Sequence, residues 1–389
     1  MSRESVELGE LIFPAKVIRC GRDEYPVFSM TMHDGIVEQK TRFKKALASK
    51  DQSNYKVVKP GQLVVGFPID EGVLYIQQLG KKGIMSPAYN IWDVDQEKVY
   101  PGFLELALHS PQSMSWYKAK LRGTTARRRN IPAKDLIKLR ICLPEKSVQS
   151  RIVDTFQQIK EELSFLASLN EKLDDLVKSR FVEMFGNADS SSANFNISTI
   201  NEICSSIVRG PFGSALKKEF FIPRGVGTYK VYEQKHAIRK RADIGTYYIS
   251  KEKFDSLKRF ECKPGDILMS CSGTMGELYQ LPMNCEPGII NQALCKFTLN
   301  EKILPEYFFR FMSQVVDDLG AKGSGIKNVS SVKYIKDIKI PLPPLSLQQE
   351  FAAFVHQVDK LKFETQQSIE KLQMLYDSLA QEYFAPEGE

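Results

Sequence analysis

Ile340-Pro-Leu-Pro-Pro-Leu-Ser-Leu-Gln-Gln-Glu-Phe351 sets a strand-like apolar run against a proline stop and opens into a segment with no further proline until Pro386. Ile141-Cys-Leu-Pro-Glu-Lys-Ser-Val-Gln-Ser-Arg-Ile152 is a weaker copy, displaced by 199 positions. The match extends outward at the same displacement: Leu136 and Leu139 fall on Ile335 and Ile338, Gln149 on Gln348, and Phe185 on Phe384. Upstream the displacement becomes 204. There Gly21, Tyr25 and Val27 recur as Gly225, Tyr229 and Val231, Lys59-Pro60-Gly61 recurs as Lys263-Pro264-Gly265, and Pro101 and Phe103 as Pro305 and Tyr307. One change of offset between Phe103 and Leu136 is what an insertion in a surface loop produces. The chain reads as a tandem duplication.

Each copy has two parts. The first holds short β-rich runs such as Gly72-Val-Leu-Tyr-Ile-Gln and Thr246-Tyr-Tyr-Ile-Ser, punctuated by Gly and Pro, and predicts a strand-rich mixed domain. The second begins after Pro144 or Pro344, with Ser147 and Ser346 as expected N-caps, and predicts one long helix. Apolar residues at Ile152, Phe156, Ile159, Leu163, Leu166, Leu173, Val177 and Met184 follow a heptad spacing. Phe351, Phe354, Val358, Leu361, Leu372, Leu375 and Leu379 follow it in the second copy. A helix of ~39 residues runs to nearly ~60 Å, more than a domain of ~140 residues can cover. The two helices are therefore expected to pair as an antiparallel coiled coil. Asn170 and, in the second helix, Thr365 and Ser368 place polar groups midway, where a single buried polar residue can fix register. The expected fold class is α+β, with a domain over 1–145, a helix over 146–188, a second domain over 189–344 and a second helix over 345–389.

Composition narrows the function. The 389 residues are 42% hydrophobic and 26% charged, as in a folded protein with several cores. Lys and Arg exceed Asp and Glu by 54 to 47, a charge of +7 that permits a nucleic-acid partner without requiring one. No apolar run reaches the ~18 residues of a membrane span, and the acidic start, Met1 to Glu10, does not read as a signal peptide, so a cytoplasmic location is expected. Seven cysteines without a Cys-x-x-Cys pair and four scattered histidines predict neither disulfides nor a metal site.

The order of these features resembles the specificity subunits of type I restriction-modification systems. The resemblance rests on the Ile340–Phe351 signature and its copy, together with Gly210-Pro-Phe-Gly-Ser-Ala-Leu, Lys263-Pro-Gly-Asp-Ile-Leu and Ser272-Gly-Thr-Met-Gly in the second domain. The first copy departs from the pattern: Glu145 stands in place of the second proline, and no counterpart of the Ser-Gly-Thr loop is recognisable. The resemblance implies two target-recognition domains that read the halves of a split double-stranded DNA sequence. It also implies docking of methyltransferase (modification) subunits and of restriction/translocase subunits. Such a chain binds no cofactor of its own; S-adenosylmethionine, ATP and Mg are expected on the partner subunits.

Candidate DNA contacts follow from charge and position. Equivalent loops before the closing strand carry Arg122, Thr124, Arg127, Arg128, Arg129 and Asn130 in the first copy, and Lys322, Ser324, Lys327 and Asn328 in the second. These types suit guanine, adenine and phosphate. Arg42, Lys44 and Lys45 form a basic cluster in the first domain, and Gln234, Lys235, Arg239, Lys240 and Arg241 form one in the second. Lys217 and Lys218 follow the Gly-Pro-Phe-Gly turn.

Two other functions are weighed. A fused nuclease or methyltransferase would need catalytic motifs, and the chain has no Asn-Pro-Pro-Tyr, no Gly-rich cofactor turn and no phosphate-cradling loop. Glu38-Gln-Lys40 and Glu233-Gln-Lys235 echo part of a nuclease site, without a convincing Asp before them. A structural coiled-coil adaptor would bind proteins and show no salt-dependent DNA affinity.

Overall fold

The structure is a computed structural model and describes residues 4–32, 34–42, 51–121, 129–186, 195–321 and 332–385. It divides into two compact units, Met1–Ser168 with Gln366–Glu389, and Leu169–Thr365. Each unit joins one strand-rich domain to the first part of its own long helix and the last part of the other.

Duplication is visible strand by strand. In the first unit a four-stranded antiparallel sheet has the order Ile12–Pro14, Asn90–Val94, Leu63–Val65, Leu74–Ile76. In the second unit the order is Cys204–Arg209, Leu294–Leu299, Ile267–Ser270, Leu278–Gln280. Register agrees as well: Leu63 faces Ile76 as Ile267 faces Gln280. A parallel bridge between Val27 and Ile84 in the first unit reappears as the parallel pairing of Val231 with Ile289 in the second. Each domain closes by pairing its first strand with the strand before the long helix: Glu4–Glu7 with Arg140–Leu143, and Asn196–Thr199 with Lys339–Leu342.

The long helices span Lys146–Phe185 and Leu345–Phe384. They begin one residue before the expected caps, so Ser147 and Ser346 lie inside the first turn and cap nothing. A buried glutamine does the fastening there. Gln149 donates from Nε2 to the Pro144 carbonyl at 2.9 Å and the Lys98 carbonyl at 3.2 Å, and accepts from the Tyr100 N–H at 2.9 Å. Gln348 repeats this with Pro343 (2.9 Å), Lys302 (3.1 Å) and Leu304 (2.8 Å). Both side chains are almost wholly excluded from solvent. Replacing Gln348 by Ala strands two carbonyls and one N–H, and should lower stability by about 2 to 4 kcal/mol in denaturant titration.

Both cores pack rings where helix meets domain, with one pair in equivalent places and the other in different ones. In the first unit Phe103 packs on Phe384 at 5.5 Å, and Phe156 on Tyr376 at 4.8 Å. In the second, Tyr307 packs on Phe185 at 4.8 Å, and Phe181 on Phe351 at 5.4 Å. Within the second unit the helices run antiparallel, since Asp174 meets Lys362 while Arg180 meets Glu350 further on.

The seam of the second helix differs from the expected one. Leu361 and Leu375 are 50% and 46% exposed, whereas the neighbouring Lys362 and Tyr376 turn inward. The heptad phase set by Phe351, Val358, Thr365 and Leu372 passes through 362 and 376. The apolar spacing misled because Lys362 can bury its stem while its ammonium meets Asp174. Thr365 is buried with its hydroxyl on the Leu361 carbonyl at 2.8 Å. Asn170 lies on the seam with its Oδ1 buried and without a hydrogen-bond partner among the described residues.

Candidate nucleic-acid interface

Strand register supplies the loop that the first copy had seemed to lack. The Gly66 N–H bonds the Val73 carbonyl and the Ser270 N–H bonds the Glu277 carbonyl, both at 2.9 Å. Gly72 and Gly276 each close a loop at positive φ, +79° and +89°. Gly66–Gly72 is therefore the counterpart of Ser270–Gly276, although Phe67-Pro-Ile-Asp-Glu shares no residue type with Cys271-Ser-Gly-Thr-Met. The signal was the constant displacement of 204.

In the second unit this loop is tied down from beneath. Gln234 opens a short helix, Gln234–Arg239, and its Nε2 donates to the carbonyls of Ser272 and, at 3.2 Å, Thr274. Ser270 Oγ donates to the Thr274 carbonyl at 2.6 Å. His236 is fully buried, accepting from the Glu233 N–H at 2.8 Å and donating from Nε2 to the Ile244 carbonyl at 2.7 Å. Burial holds its pKa below the usual imidazole value, so the neutral ring is the folded form and protonation below about pH 6.5 opposes folding.

The basic cluster on this helix is largely engaged within the domain. Lys235 pairs with Glu233 at 2.6 Å, and Arg241 makes a two-pronged pair with Asp243. Lys240 takes up a left-handed conformation, φ 51°, and its ammonium meets Glu277 at 2.7 Å and the Leu278 carbonyl at 2.6 Å. Arg239 is exposed with no ion pair among the described residues. Lys217 and Lys218 are exposed, the former 3.7 Å from Glu219.

In the first unit Arg42 pairs with Asp34 at 2.8 Å. Arg129 pairs with Asp70 and, at 2.8 Å, with Glu71, and its carbonyl accepts from the Ile69 N–H at 3.1 Å. The segment bearing Arg129 is thereby fastened to the Gly66–Gly72 loop, and Asn130 stands exposed beside it. Lys44, Lys45, Arg122, Thr124, Arg127, Arg128, Lys322, Ser324, Lys327 and Asn328 lie outside the described residues. The two nuclease-like glutamates are held by lysines: Glu38 meets Lys81 at 2.6 Å, and Glu233 meets Lys235.

Sequence reasoning missed Arg209, which ends a sheet strand and lays its guanidinium 5.2 Å over the ring of Phe212. A lone arginine before a Gly-Pro turn carries no pattern that would single it out. Among the described residues no helix is long and apolar enough to cross a membrane.

Comparison with known proteins agrees with this construction. Residues 193–374 match the family model of the type I restriction modification DNA specificity domain. A comparison with curated proteins found no match. Among solved structures, the S subunit of a type I restriction-modification system from M. genitalium is 17% identical over 100% of this chain and 97% of its own, with a TM-score of 0.53. A chain from a structure concerned with complex assembly and conformational transition of the type I R-M system is 15% identical over 98% of this chain and 97% of its own, with a TM-score of 0.66. The second domain thus matches the type I restriction modification DNA specificity domain, and the fold of nearly the whole chain is similar to that of the two solved chains.

Proposed function

We propose that this chain reads two DNA half-sites separated by an unread spacer, one with each strand-rich domain, and catalyses nothing itself. The observation that carries this reading is the same sheet-and-loop platform built twice at constant register, Gly66–Gly72 in one domain and Ser270–Gly276 in the other. A duplicated platform suits two similar tasks on a two-part target. Methyltransferase subunits, and in the full complex restriction/translocase subunits, supply the chemistry with S-adenosylmethionine, ATP and Mg in a cytoplasmic assembly. Their docking is supported by apolar side chains left open along the helices: Phe165 and Met374 in the first unit, Leu176, Leu361 and Phe363 in the second, each 48 to 64% exposed. Exposed apolar surface of this extent marks partner sites.

Base reading falls to the loops before the closing strands, with Arg128 and Asn328 in the direct roles. Phosphate contact falls to Arg42, Lys44, Lys45, Lys217, Lys218 and Arg239, since these need only charge at the surface. Binding of duplex DNA by the chain with its methyltransferase subunits, measured across salt concentrations, tests this. Arg239→Ala should weaken binding to every sequence and reduce the salt slope by roughly 0.9. Lys240→Ala should act in the same direction, since its ammonium, half exposed beside Glu277, remains open to a phosphate. Arg128→Ala should instead relax preference at one base position, at a cost of about 1 to 3 kcal/mol. Salt-independent binding would support the protein-only adaptor and sink this reading, as would methylation or cleavage by the chain alone.

A further inference from the structure

The second domain presents a phenylalanine to solvent on a turn that is otherwise tightly held. Phe212 is 65% exposed. Its turn begins at Gly210, whose N–H bonds the Leu294 carbonyl at 3.0 Å and where a Cβ would fall 1.9 Å from the Asn291 carbonyl oxygen. No residue but glycine fits there. Arg209 fixes the other side, donating to the Gln292 carbonyl at 3.3 Å and the Cys271 carbonyl at 3.4 Å while its guanidinium covers the Phe212 ring. Gly213 continues the turn at φ +65° into open space, and Lys217 and Lys218 follow, exposed. An anchored backbone, an aromatic ring in water and cations on both sides are the elements of a side chain that presses between bases while its neighbours hold phosphates.

The first domain exposes apolar side chains near the same strand end, in a different arrangement. Val65 pairs with Asn90 where Met269 pairs with Cys295, which sets Asn90–Val94 on Cys295–Leu299. Ala15 bonds Ile91, while Val208 pairs with Lys296, so Lys16 takes the place of Arg209. The next two residues, Val17 and Ile18, are 55% and 40% exposed, and Arg19 beside them is exposed too. Exposed apolar side chains flanked by cations thus leave the same strand in both copies, where solubility alone would favour polar residues. Counted on from Lys16, Val17 and Ile18 take the places of Gly210 and Pro211, and Arg19 that of Phe212, so the held turn with its exposed ring belongs to the second domain.

We propose that Phe212 is a DNA wedge that unstacks one base step in the half-site read by the second domain. This rests on the DNA-reading function proposed above. Insertion kinks the duplex away from the inserted side chain, and some base steps distort more easily than others, so the wedge adds specificity at a position that no polar side chain reads.

The test uses the full chain in complex with its methyltransferase subunits, and a duplex bearing the sequence the system methylates, with 2-aminopurine placed at each position in turn. Wild-type complex should raise 2-aminopurine fluorescence at one step of the half-site read by the second domain, beyond the methylated base. Phe212→Ala should abolish that rise and weaken binding about 10-fold, as loss of one base–aromatic contact does. Phe212→Trp should retain both properties, and Val17→Ala/Ile18→Ala should leave the rise unchanged. Circular dichroism reports whether each variant is folded, and the exposed position makes Phe212→Ala a mild change. Wild-type fluorescence and affinity in a folded Phe212→Ala complex would overturn the wedge while leaving DNA reading intact. Loss of the methyltransferase subunits from Phe212→Ala, with unstacking retained in whatever complex remains, would overturn it in favour of a protein contact. Absence of any salt-dependent DNA binding by wild type would remove the functional reading and the wedge with it.

Discussion

Asp266→Ala should destabilise the second unit by about 3 to 5 kcal/mol, seen as a fall in the denaturant midpoint of that unit with little change in the first. Asp266 is 1% exposed, and its side chain accepts from the Lys296 ammonium at 2.9 Å, from the Thr298 hydroxyl, and from the Lys263 N–H at 2.8 Å. Lys296 is itself 8% exposed in its side chain and lies on the central strand of the sheet. Removing the carboxylate leaves an ammonium in the core without a counter-charge, and that dominates the loss of the pair itself. A double change to Asp266→Leu/Lys296→Met should therefore recover most of the deficit, since it removes both charges and keeps the volume. The first domain does without the buried ion pair: Gln62 and Asp93 occupy the places of Asp266 and Thr298, joined at 2.7 Å with Asp93 exposed, and Ile91 occupies the place of Lys296. Because Ile267–Ser270 leads into the Ser270–Gly276 loop, partial unfolding here should blur selectivity in the second half-site before the first.

The second large effect concerns spacing. Inserting one heptad into both long helices, between Leu166 and Leu173 and between Leu361 and Leu372, should keep both half-site sequences and lengthen the permitted spacer by about three base pairs. Seven residues add about 10 Å of helix, and B-DNA rises ~3.4 Å per base pair. A heptad preserves the seam, because positions 166, 173, 358, 365 and 372 stay in phase. Insertion into one helix alone should abolish methylation, since the partners would then meet out of register. If methylation mapping of the double insertion returned altered half-sites with the original spacer, the helices would not be the ruler.

The duplication, the two long helices and their antiparallel pairing were legible because apolar periodicity and a constant displacement are properties of the chain itself. Phe185 and Phe384 could be matched before either was known to close a core against Tyr307 and Phe103. The finer seam was not legible, since a buried lysine stem at 362 counts as polar in sequence while Leu361 counts as apolar. Gln149 and Gln348 were visible as a repeat, yet their role as the joint between helix and domain needs three-dimensional partners. The basic patch on Gln234–Arg241 was legible as charge while its partners were not: the carboxylates beside Lys240 and Arg241 lie at 277 and 243, and only folding brings the first of them near. Phe212 escaped notice because an apolar residue in a turn reads as core until its exposure is measured.

Mapping methylated bases in cells that carry the full system, with and without this chain, tests the account most directly. The account predicts one split motif, two defined blocks flanking a stretch of fixed length and free sequence, and loss of that methylation when the chain is absent. A single contiguous motif, or methylation that persists without the chain, would contradict it.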